Sequence, residues 1–141
     1  MIAQGVTDNY SAKVDETWWF TLPPPYNVSD DPLEVIDASV VKVPDGIKIV
    51  RYRAYHRDDT DGMPLLAREG DQQNPDFARL KDYAKAPLKL APDSGGDVYY
   101  VAELEVTAPP KENLRDCRFT YRQNGHTFTQ TMGCELELRV G

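Results

Sequence analysis

Apolar and polar positions alternate most regularly in the last third of the chain. In Val98–Ala108, Tyr100, Ala102, Leu104 and Val106 alternate with Val101, Glu103, Glu105 and Thr107. A period of two marks a strand with one face buried. Pro109-Pro110 ends that run, because proline has no N–H for a ladder. Leu114–Gln123 follows, with Cys117, Phe119 and Tyr121 on one face and Arg118, Thr120 and Arg122 on the other. In Phe128–Val140, Met132, Cys134, Leu136, Leu138 and Val140 share a face opposed by Glu135, Glu137 and Arg139. Asn124-Gly125 between them reads as a hairpin turn.

The middle of the chain predicts a second hairpin. Leu33–Val43 and Ile47–Tyr55 are rich in β-branched residues and flank Pro44-Asp45-Gly46. Proline presets such a turn and glycine supplies a positive φ. A three-residue turn sets Val43 against Ile47 and Val41 against Ile49. Earlier, Lys13–Leu22 reads as a strand ending in Trp18-Trp19-Phe20. Neighbouring residues of a strand point to opposite faces. One indole is therefore expected in the core and the other at the surface or under a loop. Pro23-Pro24-Pro25 then reads as a rigid polyproline connector.

From His56 to Asp97 the alternation fails. Asp58-Asp59-Thr60-Asp61-Gly62 is a polar turn. Asn74-Pro75-Asp76 has the cap, first-turn proline and acid of a helix start. Phe77, Leu80, Tyr83 and Ala84 recur at helical spacing up to Pro87. The prediction is an all-β, antiparallel, immunoglobulin-like β-sandwich of six or seven strands, with one short helix in a long connection. Residues 1–10 show no period and are expected to form a flexible N-terminal segment. Residues 11–141 form the single β-sandwich domain.

Composition supports one domain. The chain has 141 residues, 40% of them hydrophobic, and a chain of that length buries roughly 70% of its unfolded surface. No apolar run reaches the ~18 residues of a membrane span. The start, Met-Ile-Ala-Gln, lacks the basic-then-apolar pattern of an export signal. That fits a cytosolic protein, and equally a domain whose signal or anchor has been removed. The formal charge is -7. The basic clusters Arg51, Arg53, His56, Arg57 and Arg115, Arg118, Arg122 are interleaved with other residues and read as solvated strand faces. Nucleic acid is therefore not expected as a partner.

Candidate chemistry is sparse. The two histidines, His56 and His126, form no HExxH or HxH motif. The four serines lie in no nucleophile elbow, and turn chemistry accounts for Ser94. Arg57 stands where a calcium loop starting at Asp58-Asp59-Thr60-Asp61-Gly62 needs its first acid. Glu103, Glu105, Glu135 and Glu137 fall on outward faces, paired across strands with arginine. No cofactor and no metal are expected. Asn27-Val28-Ser29 matches a glycosylation sequon.

The chain has two cysteines, and their spacing matches no zinc motif. A loop of Asn124–Thr127 sets Gln123 against Phe128 and Cys117 against Cys134, with Cβ atoms about 4.5–5.5 Å apart. A two-residue loop instead sets Cys117 against Met132. Cys117–Cys134 is taken as a disulfide, with two buried thiols as the alternative. A disulfide points to an oxidising compartment.

Pro44-Asp45-Gly46-Ile47-Lys48-Ile49, the strand Tyr99-Tyr100-Val101-Ala102-Glu103-Leu104, and Cys117…Tyr121-Arg122-Gln123-Asn124-Gly125…Thr131-Met132-Gly133-Cys134 carry a family likeness. Over about half the chain, they resemble the immunoglobulin-like extracytoplasmic domains of some actinobacterial membrane-anchored proteins. The resemblance implies a sandwich outside the cytoplasm and carries over no functional residue. It departs from antibody domains, because these cysteines would join neighbouring strands and no tryptophan lies between them.

The functional expectation is a non-enzymatic extracytoplasmic module acting through a protein partner. Its loops at one end or the 56–97 insertion would serve for binding, with Met63, Leu65, Leu66, Phe77 and Tyr83 as an apolar patch. The bland alternative is that those five residues cap the sandwich. Two rival functions are a cytosolic, immunity-type protein that neutralises a basic partner, and a small carboxylate-based hydrolase.

Overall fold

The computed structural model describes residues 6–141. Its strands are β1 (Val6–Ala12), β2 (Thr17–Thr21), β3 (Tyr26–Asn27), β4 (Leu33–Lys42), β5 (Ile47–His56), β6 (Leu66–Arg68), β7 (Leu88–Leu90), β8 (Ser94–Gly95), β9 (Val98–Val106), β10 (Leu114–Gln123) and β11 (His126–Val140). A five-stranded sheet runs β1-β11-β10-β4-β7 and a four-stranded sheet runs β5-β9-β2-β6, while β3 and β8 form a small pair. The protein is all-β and sandwich-like.

The core lies between the two large sheets. Val35, Ala38, Leu114, Phe119, Leu136 and Leu138 come from the first, and Trp18, Phe20, Ala54, Ala102 and Leu104 from the second. These are the apolar faces that the alternation marks in β9, β10 and β11. Of the four outward glutamates, Glu103 and Glu135 pair with arginine across strands, Glu137 meets Arg139 of its own strand at 3.7 Å, and Glu105 has no ion pair among the described residues. Arg51 meets Glu103 at 3.4 Å, Arg115 meets Glu135 at 3.2 Å and Arg122 meets Glu34 at 3.1 Å. The two indoles separate as strand geometry requires. Trp18 enters the core and Trp19 lies on the opposite face under a loop.

Several expectations are corrected. Residues 1–5 of the flexible segment expected over 1–10 lie outside the described residues, but Val6–Tyr10 belong to β1. That strand pairs with β11 in parallel, Val6 beside Glu135 and Asn9 beside Leu138. The sheet is therefore mixed, not purely antiparallel. Pro44-Asp45-Gly46 is no hairpin turn. β4 pairs with β10 and β7, whereas β5 pairs with β9. The turn is a corner between sheets, so Val43 and Ile47 are not ladder partners. Gly46 has φ +94°, and a Cβ there would meet the Ala108 carbonyl oxygen at 2.5 Å. Only glycine fits that approach.

The short helix at 74–85 is absent. The chain there makes isolated turns, with Phe77 N–H donating to Pro75 O and Arg79 N–H to Asp76 O. It then docks on the edge of β5. Tyr83 N–H donates to Ala54 O at 2.8 Å, and Ala54 N–H donates to the Asp82 carboxylate at 2.9 Å. A helix this short is marginal alone, and these tertiary bonds override its cap and spacing signals. The one helical turn among the described residues is a 3-10 turn at Arg57–Asp59.

The Cys117–Cys134 disulfide is present, with Cα atoms 5.8 Å apart. Its register differs from the one expected. The hairpin has a two-residue loop, so Gln123 faces His126 and Cys117 faces Met132. Between Arg115 and Cys117 the ladder slips. Gly133 and Cys134 there oppose the single residue Asp116, whose φ is +65°. This β-bulge leaves Cys134 without a ladder partner and brings it to Cys117.

Candidate functional site

The connection from β5 to β9 is the largest departure from regular structure, and it covers the outer face of the four-stranded sheet. It does so over a second apolar cluster of Trp19, Tyr55, Ala67, Phe77, Tyr99 and Val101. Ring centroids lie 5.4 Å apart for Trp19–Phe77 and 4.9 Å for Tyr55–Phe77. The polar tips of these aromatics fasten the loop to the sheet. Tyr55 Oη donates to Phe77 O at 2.7 Å, and Tyr99 Oη meets Thr60 Oγ1 at 2.7 Å. Burial pushes the Tyr55 phenol up to about 12 and raises that of Tyr99, because burial penalises the charged form. The Arg53 guanidinium lies 5.8 Å from the Trp19 ring centroid, a cation–π distance.

The rim of this connection is acidic. One hollow of about 670 Å³ is lined by Asp58, Asp59, Asp61, Met63 and Asn74, among others. A second, of about 430 Å³, has Glu69, Asp71 and Asp76 above Trp19 and Phe77. His56 Nδ1 accepts the Asp58 N–H at 3.1 Å and caps the 3-10 turn. His126 sits at the hairpin tip of the other sheet. No group of three metal-binding side chains occurs among the described residues.

The five residues expected to form an apolar patch are divided. Phe77 is 2% exposed, at the centre of the outer cluster, and Met63 packs against it. Leu66 and Tyr83 pack against the core between the sheets. Leu65 alone is exposed, at 47%. The five residues therefore form no single patch, and Leu65 is the one exposed side chain among them. Phe77 and Tyr83 share a helical stripe in the sequence, but without the helix they join different cores.

A second loop region gathers at the tip of the β10–β11 hairpin. Asn27, 1% exposed, donates from Nδ2 to the carbonyls of Asp31, Leu90 and Ala91 and accepts from Ser29. Its amide is fully engaged, so the sequon is a structural turn and not a glycan acceptor in the folded protein. Gln123 Nε2 donates to Ser29 Oγ at 2.7 Å, and Asn124 Nδ2 to the Asp31 carboxylate at 3.1 Å. A hollow of about 440 Å³ beside them is lined by Leu33, Glu34, Lys89, Arg122, Gln123 and Asn124.

One feature escaped sequence reading. Lys42, Lys111, Arg115 and Arg139 line a groove of about 780 Å³ together with Glu112 and Glu137, the latter 3.7 Å from Arg139. Their positions are scattered through the chain and only the strand order assembles them. The acids Glu103, Glu105, Glu135 and Glu137 are half-buried, and Glu137 lines this groove together with Glu112. Among the described residues, no helix is long and apolar enough to cross a membrane. Comparison with protein-family models, with curated proteins and with solved structures finds no match to this chain.

Proposed function

We propose that this chain is a non-enzymatic, immunoglobulin-like module that works outside the cytoplasm and binds a basic protein surface through its 57–87 connection. The observation that carries the reading is an acidic rim held rigidly on an aromatic base. Asp58, Asp59 and Asp61 line one hollow of the connection, Glu69 and Asp76 line another, and the exposed Leu65 lies between the two acidic groups in the chain. The loop beneath them is pinned by the Tyr55 and Tyr99 hydroxyls. A pre-ordered loop loses little entropy on binding, and acidic groups steer a cationic partner toward it.

Strand order supports the immunoglobulin-like reading. If β2, β4, β5, β9, β10 and β11 are lettered B to G, one sheet contains B-E-D and the other C-F-G. That is the arrangement of the immunoglobulin sandwich. The disulfide joins F to G instead of B to F, a departure from antibody domains. A buried disulfide supports an oxidising location.

The test places a photo-crosslinking residue at Leu65, and separately at Val50 on the β5 edge, in the chain expressed in its native host. The reading expects a partner cross-linked from position 65 and none from position 50. It also expects Cys117 and Cys134 to alkylate only after reduction. Equal cross-linking from both positions removes the connection as the binding face. Free thiols in the native host favour the cytosolic, partner-neutralising reading instead.

A further inference from the structure

The five-stranded sheet has an open stretch of edge. β10 lies along one side of β11 from His126 to Leu136. β1 covers the other side only from Glu135 to Val140. Among the described residues, no strand pairs with 126–134 on the side away from β10. Such an edge presents unpaired N–H and C=O groups in the pattern that another strand requires.

The remaining edges carry charges, bulges or bonds to other segments: β4 beyond its pairing with β7 has Asp37 and Lys42, and its Val40 N–H donates to Tyr52 Oη. β5 is bulged between Ile49 and Arg51, carries Lys48, Arg51 and Arg53, and is met at Ala54 by Asp82 and Tyr83. β6 and β7 have three residues each, and β1 carries Asp8. The β11 stretch differs in kind. His126-Thr127-Phe128-Thr129-Gln130-Thr131-Met132-Gly133 contains no acid, lysine, arginine or proline. Of the four phenylalanines, only Phe128 is exposed, at 43%, and it stacks on Tyr121 at 5.4 Å.

We propose that this edge pairs with the same edge of a second copy of the chain, antiparallel about a two-fold axis at Phe128. In that register Phe128 faces Phe128 of the second copy, Thr127 faces Thr129, and His126 faces Gln130. Aromatic and threonine pairs directly opposite each other stabilise antiparallel strands, and no acid or strong base meets its like. The axis joins the Tyr121–Phe128 stacks of the two copies into one aromatic strip and makes one continuous sheet of two five-stranded ones. An isologous contact of this kind closes on itself and stops at the dimer. One strand pair is a small interface, so dissociation in the micromolar range is expected. Each copy carries a formal charge of -7, so added salt, which screens that repulsion, tightens the dimer.

Sedimentation equilibrium of the intact chain across the micromolar range tests this. The expected result is a monomer–dimer equilibrium that shifts toward dimer with salt. Phe128→Asp and Phe128→Lys each give monomer with an unchanged circular-dichroism spectrum, and mixing the two restores dimer. Phe128→Cys yields a covalent dimer on mild oxidation. A wild-type chain that stays monomeric throughout overturns the proposal. So does a dimer that survives both charged variants, which places the interface elsewhere. Dimer that forms only after residues 1–5 are removed also overturns it, since the edge is then covered in the intact chain.

Discussion

The core between the sheets and the aromatic cluster outside the four-stranded sheet are both dry, yet they are held together differently. The inner core is assembled from alternate positions of long strands, with a disulfide in its wall. The outer cluster takes only one face of β2, β5 and β9 from the sheet, and its lid is a connection without helix or long strand. Aromatic hydroxyls bonded to loop carbonyl and hydroxyl oxygens replace the ladder there. Packing on a sheet can thus rigidify an irregular segment, but as a unit that can open by itself.

Paired truncations give the largest expected effect. Phe119→Ala, in the inner core, should lower global stability by about 3–5 kcal/mol, read as a shifted urea midpoint. Phe77→Ala, in the outer cluster, should release the connection. Amide exchange at Tyr83 and Ala54 rises while β10 and β11 stay protected, and the midpoint moves less. Equal midpoint shifts with uniform loss of protection would merge the two clusters into one cooperative unit.

Removing the disulfide by Cys117→Ser with Cys134→Ser should cost about 3 kcal/mol on the chain-entropy model. The loss should appear in global unfolding, with exchange in the connection unchanged. If the connection loosens first, the outer cluster depends on the inner one more than its separate contacts imply.

Alkaline pH compares the clusters through one tyrosine each. Burial pushes Tyr100, in the inner core, and Tyr55, in the outer cluster, to about 12. A phenol whose folded pKa is raised keeps its proton while the unfolded chain loses its own near pH 10. The folded state then binds more protons, so stability is full below about pH 10 and falls as pH rises toward 12. Tyr100→Phe should flatten the decline in global stability. Tyr55→Phe should flatten the decline measured by exchange at Tyr83. At the small end, Leu65→Asp should change stability by no more than about 0.5 kcal/mol; a larger loss would make Leu65 part of the lid's packing.

The legible parts of the fold are those where local pattern and tertiary role agree. Tyr100, Ala102, Leu104 and Val106 show their burial in a period of two, and two of the four outward glutamates, Glu103 and Glu135, find arginines across strands. The illegible parts depend on partners distant in the chain. Pro44-Asp45-Gly46 has hairpin chemistry, but nothing local says that β4 and β5 take different sheets. Asn74-Pro75-Asp76 is a sound helix start, overruled because the β5 edge binds Asp82 and Tyr83. The Cys117–Cys134 pairing is legible only through a four-residue loop that the protein does not use, since the bulge at Asp116 compensates for the shorter loop. Of the candidate site, its segment was legible and its acids were visible. The burial of Phe77 was not, because Trp19 and Tyr55 reach it from other strands. The groove of Lys42, Lys111, Arg115 and Arg139 gathers residues that no window of sequence contains together.

The parallel pairing of β1 with β11 also sets an order of events during synthesis. Val6 lies beside Glu135 and Ala12 beside Val140, so the first strand finds its place only when the last one exists. At about 5–20 residues per second, β1 waits on the order of ten seconds on the ribosome without its sheet partner. Loop closure across nearly the whole chain makes this contact slow to form. The five-stranded sheet is completed only once Glu135–Val140 have left the ribosome, and until then β1 is open to chaperones and proteases.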